Sequence, residues 1–182
     1  MEKAHETEKN NQDDTLDIIW AKESAPTIFW THGGTFVGGD EQDVEKYASY
    51  LAAKGYNVVN LNYARPPEEK YPTPLKQMEE AYTYIQKNKD KYRLNLDRVY
   101  FAGDSAGAQL ASQFVAIQMN EDFSPSANVD RVVPEKTIKG AILLCGPYDL
   151  KEVAEKSPSA LNRFLFERVG VGLTWEIVIG KS

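Results

Sequence analysis

Short apolar runs alternate with helical stripes along this chain. Leu16, Ile18 and Trp20 interleave with Asp17, Ile19 and Ala21, a period of two that predicts a strand, placed here at a sheet edge. Pro26 opens a second strand through Thr27, Ile28, Phe29 and Trp30, which glycines end. Asp40 or Asp43 stands where a helix cap is needed, ahead of an inner face made by Val44, Tyr47, Ala48 and Leu51 and a stop at Gly55. Val58 to Leu61 is the next strand. Beyond a turn from Ala64 to Pro74 that holds four prolines, Leu75, Met78, Tyr82 and Ile85 fall on one helical face. Val99 to Ala102 is again a short strand, and Leu110, Phe114 and Ile117 mark the helix after it. A polar stretch from Ser124 to Pro134 leads to Ile138–Cys145, whose five consecutive hydrophobic residues from Ala141 predict a strand covered on both faces. Leu161, Phe164, Leu165, Phe166 and Val169 return to helical spacing, as a cap over a site or as cover for the sheet. Tyr71, Tyr82, Tyr84 and Tyr92 accompany a helix and read as packing residues.

Strands alternating with helices imply an α/β fold with a mostly parallel sheet and right-handed crossovers. The first fifteen residues carry Glu2, Lys3, Glu6, Glu8 and Lys9 without apolar periodicity, and read as a mobile tail that contains His5. Residues 16–182 then form a single domain, with 151–182 as cap or covering helices. At 182 residues and 42% hydrophobic content the chain is long enough to bury one substantial core.

Charge and cysteine count narrow the chemistry. The 27 acids against 21 bases give a net charge of −6, the wrong sign for wrapping a phosphate backbone, so no nucleic-acid partner is expected. A single cysteine excludes an internal disulfide and a cysteine-based zinc site; Cys145 is expected as a small buried hydrophobe. No hydrophobic run approaches a membrane span, and Met1 to Thr15 is not a secretory signal. The expectation is a soluble, cytoplasmic protein, secreted or anchored only where a targeting segment precedes this sequence.

Chemistry concentrates at two places. Gly103-Asp104-Ser105-Ala106-Gly107 lies between a predicted strand and a predicted helix, the context in which a serine sits on a sharp elbow above the carboxyl edge of a sheet. Small residues on either side let neighbouring backbone approach, and the helix N-terminus favours developing negative charge. Ser105 is thus the candidate nucleophile. The second place is His32-Gly33-Gly34-Thr35-Phe36, directly after another strand, where adjacent glycines can turn their N–H groups toward one point. Gly33 and Gly34, joined by the N–H of Ala106, are the candidate oxyanion hole.

On these motifs the sequence resembles the α/β-hydrolase superfamily, and within it the carboxylesterases of the hormone-sensitive-lipase-like branch. The resemblance runs from about Thr27 to Leu150. It includes Asn62-Tyr63-Ala64-Arg65-Pro66-Pro67-Glu68, which is similar to the family's Asp-Tyr-Arg-Leu-Ala-Pro-Glu stretch; Asn62, Ala64 and Thr35 depart from the family pattern. The resemblance implies an α/β-hydrolase fold and a serine carboxylic-ester hydrolase that works through an acyl-enzyme on a small-molecule ester. It implies no metal or organic cofactor, and a structural role for His32 in supporting the oxyanion loop.

The same resemblance sets a catalytic order of serine, then acid, then histidine. No histidine follows position 32, so the chain is expected to be truncated at its C-terminal side and poorly active by itself. Asp149 is read as structural rather than as the triad acid, and Asp104 as a loop hydrogen-bonder. Two rival readings stand beside the esterase. One is an arylformamidase-like hydrolase; the other is a non-catalytic fragment that associates, for instance as a homodimer, through an exposed sheet edge.

Overall fold

The computed structural model describes residues 2–7, 15–35, 38–64 and 69–148. Asp149, the stretch from Arg65 to Glu68 and the predicted helix around Phe164 lie outside the described residues. Among the described residues six strands form one sheet in the order β1-β2-β4-β3-β5-β6. They are β1 (Glu2–Thr7), β2 (Thr15–Trp20), β3 (Pro26–Thr31), β4 (Asn57–Leu61), β5 (Asn95–Asp104) and β6 (Ile138–Leu144). β1 and β2 run antiparallel to their neighbours, whereas β4, β3, β5 and β6 are mutually parallel.

Side-chain alternation explains why both faces of the sheet are covered. Leu16, Ile18, Phe29, Val59, Leu61, Val99 and Phe101 point to one face. There they meet Leu75, Met78, Tyr82 and Ile85 of α2 (Thr73–Asn88) and Leu110, Phe114 and Ile117 of α3 (Ala106–Met119). The intervening Ile19, Ile28, Trp30, Val58 and Ala102 turn to the other face, under Ala48 and Ala52 of α1 (Glu45–Ala53). At the centre of the larger layer Phe101 stacks on Phe29 and tilts against Phe114, with centroids 5.4 and 5.2 Å apart. Such aromatic packing contributes beyond the area it buries.

Local signals behave as their chemistry dictates. Ahead of α1 a 3-10 turn, Glu41–Val44, is opened by Asp40: its carboxylate accepts from Gln42 N while Asp43 accepts from Asp40 N, each at 3.0 Å. α1 stops before Gly55, whose φ of +96° favours glycine. The polar stretch before β6 carries a one-turn helix α4 (Ser124–Ala127) and a 3-10 turn, Glu135–Thr137.

Five expectations need correction. Residues 2–7 are not tail but strand, paired antiparallel along β2 from Glu2↔Trp20 to Thr7↔Thr15. β2 is therefore not an edge, since β1 flanks it on one side and β4 on the other. Tyr47 does not face the core: it is exposed, with its ring edge-on to Trp30 and stacked near Tyr50. β6 is not covered on both faces, because Ile142 and Leu144 are exposed, and so is Cys145 just beyond it. Among the described residues, no helix is long and apolar enough to cross a membrane.

The chain reverses its direction across the sheet between β3 and β5. After β3 it moves outward to β4, then returns across β3 to place β5 on the opposite side. The carboxyl ends of β3 and β5 therefore flank the crevice where open parallel sheets bind ligands.

Candidate active site

Register brings the two sequence motifs together. Thr31, the last residue of β3, pairs with Gly103 of β5, so the loop starting at His32 leaves the sheet beside Asp104 and Ser105. Ser105 has φ 49° and ψ −118°, a sparsely populated backbone conformation between β5 and α3. Its N–H donates to Leu144 O of β6 at 2.8 Å, and its carbonyl accepts from Gln109 N in the first turn of α3.

The glycines around the serine are required by contact. A Cβ on Gly103 would lie 2.5 Å from the Gly107 carbonyl carbon and 2.7 Å from Thr31 O. On Gly107 it would fall on the carbonyl oxygens of Thr31 and His32. Strand end, elbow and helix start are thus pressed together at backbone distance, which no side chain at either position permits.

The loop from His32 is built from the inside. The His32 ring is 1% exposed and stacks on Tyr63, with centroids 4.4 Å apart and planes 16° from parallel. Its Nδ1 lies 2.6 Å from Gly33 O and its Nε2 3.0 Å from Asn62 Oδ1. Tyr63 OH donates to His32 O at 3.1 Å, and Tyr63 N–H donates to Asn62 Oδ1. The following Ala64 N–H donates to Gln77 Oε1 of α2 at 2.8 Å. Both ring nitrogens of His32 thus face oxygens inside the loop, and a neutral ring donates its single N–H to one of them. Asn62, where the resembling pattern has aspartate, still offers an oxygen to the ring.

Of the three backbone donors expected at an oxyanion hole, one is otherwise employed. Gly33 N–H donates to Asp104 Oδ1 at 3.2 Å. Gly34, at φ 129°, accepts from Gly38 N on its carbonyl at 2.8 Å, while its own N–H meets no acceptor among the described residues. The same is true of Thr35 N–H, whose residue has φ 54° and whose hydroxyl donates to Gly34 O. Ala106, the first residue of α3, carries one of the N–H groups that a helix start leaves without an intrahelical acceptor. Sequence reading foresaw neither the Thr35 N–H without an acceptor among the described residues nor the particular partner of Asp104. Its only hint of the latter was the need for glycine at position 33.

His5, on β1, is four strands from β5, about 19 Å at ~4.8 Å per strand. Among the described residues no group of three or more His, Cys, Asp or Glu side chains is placed to hold a metal.

A profile of the α/β-hydrolase fold matches residues 28–182, and the chain belongs to that family. It is 34% identical over 89 residues to an acetyl esterase of Salmonella paratyphi B, a match covering 48% of this chain and 28% of that protein. Esterase B of Lactobacillus rhamnosis superposes with a TM-score of 0.83 at 23% identity, over 96% of this chain and 59% of its own. A carboxylesterase of Lactobacillus plantarum does so with a TM-score of 0.77 at 16% identity, over 98% and 66%. The chain thus spans little more than a quarter of the acetyl esterase in the matched stretch, and about three fifths of esterase B.

Proposed function

We propose that this chain carries the acyl-transfer half of a serine carboxylic-ester hydrolase, with Ser105 as nucleophile. The observation that carries the reading is the elbow itself: Ser105 at positive φ, at the N-terminus of α3, with the glycine loop after β3 in backbone contact through Gly107. The likeness to proteins named acetyl esterase and carboxylesterase supports a small-ester substrate.

In this mechanism Ser105 Oγ attacks the ester carbonyl carbon and its proton passes to a base. The carbonyl π electrons move onto oxygen, and the N–H groups of Gly34 and Ala106, with Thr35 beside them, bind the resulting oxyanion. Collapse restores the carbonyl and breaks the bond to the alkoxide, which leaves protonated. Water then repeats the attack on the acyl-serine, releasing the acid and restoring the hydroxyl. Neither histidine of the sequence is suited to be the base: His32 is buried with both ring nitrogens turned onto oxygens inside the loop, and the strand of His5 is four strands away. Turnover by residues 1–182 is therefore expected to be only about 10³–10⁴-fold over water, the residue left by hole and binding when a triad member is missing.

A fluorophosphonate probe tests the assignment. Slow labelling confined to Ser105, lost in Ser105→Ala, is the expected result. Labelling at another residue, or labelling that persists in Ser105→Ala, rejects the nucleophile. No labelling at all favours the non-catalytic reading.

A further inference from the structure

We propose that Asp104 is the positioning residue of the oxyanion loop: its carboxylate holds the Gly33 N–H while His32 holds the Gly33 carbonyl, and this grip aims the N–H groups that follow. The catalytic consequence rests on the acyl-transfer reading of Ser105, whereas the grip rests on geometry alone.

Asp104 ends β5, and the Thr31↔Gly103 register places it alongside the start of the loop after β3. One carboxylate oxygen, Oδ1, accepts from Gly33 N–H at 3.2 Å. The other, Oδ2, occupies the position that a Cβ on Gly33 would need, and Asp104 O lies 3.0 Å from that position. Asp104 thus fills the space that the missing side chain leaves. On the far side of the same residue, Gly33 O is 2.6 Å from Nδ1 of the buried His32 ring. That ring is in turn fixed by Asn62 and Tyr63.

Gly33 therefore has both of its backbone polar groups engaged by side chains, one on each side. Without such a grip, consecutive glycines are free to rotate their peptide planes, and oxyanion binding depends on donors already aimed before charge develops. Gly34 and Thr35, next in the chain, have N–H groups with no acceptor among the described residues. Gly33 thus anchors the loop, while the N–H groups of its successors are left without an acceptor among the described residues. The arrangement also gives Asp104 a task distinct from that of a triad acid, since its carboxylate is turned onto the loop backbone.

Amide hydrogen exchange measured by NMR on the ¹⁵N-labelled chain tests the grip without any catalytic readout. In the unmutated protein, Gly33 should exchange at least tenfold more slowly than Gly34 once intrinsic rates are divided out. Asp104→Ala should raise Gly33 exchange to the Gly34 level, and Asp104→Asn, which keeps an acceptor oxygen, should preserve the protection. Equal exchange of Gly33 and Gly34 in the unmutated chain overturns the proposal, and needs no variant to fold. So does an unchanged Gly33 in a folded Asp104→Ala.

The positioning role is read from Ser105 phosphonylation. Asp104→Ala should lower the maximal rate at least tenfold with little change in the probe concentration for half-maximal rate, and Asp104→Asn should restore it. A change confined to the half-maximal concentration contradicts positioning of the hole. If the unmutated chain is not labelled at Ser105, the acyl-transfer reading fails, and the exchange comparison still decides the grip.

Discussion

Ser105 N–H donates to Leu144 O at 2.8 Å, so the backbone of Ser105 is tied to the last residue of β6 as well as to its own strand and helix. This tie helps hold an L-residue at φ 49°, where strain costs about 1–3 kcal/mol. Glycine adopts that conformation freely but loses more chain entropy on folding, by roughly 0.5–1 kcal/mol. Ser105→Gly should therefore be more stable than Ser105→Ala by about 1 kcal/mol, a balance of these two terms. Urea titration of the two variants checks this, and a less stable glycine variant would mean that the elbow is unstrained.

Gly34→Ala should be harmful in two separable ways. A Cβ there would fall on the backbone of Gly38, and φ 129° is strained for alanine whatever the space. The loop must shift, moving its donors. In a form of the protein with measurable turnover, kcat should fall by about 10²–10³, as when one oxyanion donor is removed, with KM nearly constant. A raised KM at constant kcat would assign the loop to substrate positioning.

Tyr82 sets an alkaline limit on stability. Burial pushes its phenol above the ordinary tyrosine value near 10, opposed in part by a hydrogen bond with the Thr137 side chain. The folded state thus holds the proton more tightly than the unfolded state does. The stabilisation is fully present below about pH 10 and is lost as the pH rises from there through the raised folded value. Tyr82→Phe, which cannot ionise, should lose less stability than the unmutated chain between neutral pH and the alkaline limit. Parallel pH profiles for the two proteins would rule Tyr82 out as a source of the alkaline loss.

β6 predicts association. Among the described residues it is the last strand of the sheet, it has a neighbour only in β5, and Ile142 and Leu144 are exposed on it. A second copy related by a two-fold axis can pair with it antiparallel. Sedimentation at tens of micromolar should show a dimer that Ile142→Lys with Leu144→Lys dissociates. A strict monomer in the unmutated chain refutes the pairing.

The parts of the fold legible in the sequence were those that a repeating period specifies. Leu75, Met78, Tyr82 and Ile85 share a face and are all buried, as are Leu110, Phe114 and Ile117. β3, β4 and β5 enclose the runs that mark them. Where the pattern misled, the deciding interaction comes from elsewhere in the chain. β1 has no apolar signature, because its place is set by backbone pairing along β2. The N–H of Gly33 could not be assigned from the motif, since the carboxylate that takes it lies 71 residues away. Tyr47 fits the helical stripe, but Trp30 fills the layer beneath it and leaves the tyrosine ring outside.

The strand made by residues 2–7 bears on how large an assembly can grow. Its sequence, Glu-Lys-Ala-His-Glu-Thr, puts charge along the outer border of the sheet, the composition by which natural edges discourage further pairing. The opposite border, β6, is apolar. A charged border facing an apolar one is a poor match, so head-to-tail growth of the sheet is disfavoured at the β1 side. Among the described residues, contact between like β6 borders would leave charged borders outward, and growth is expected to end at two copies.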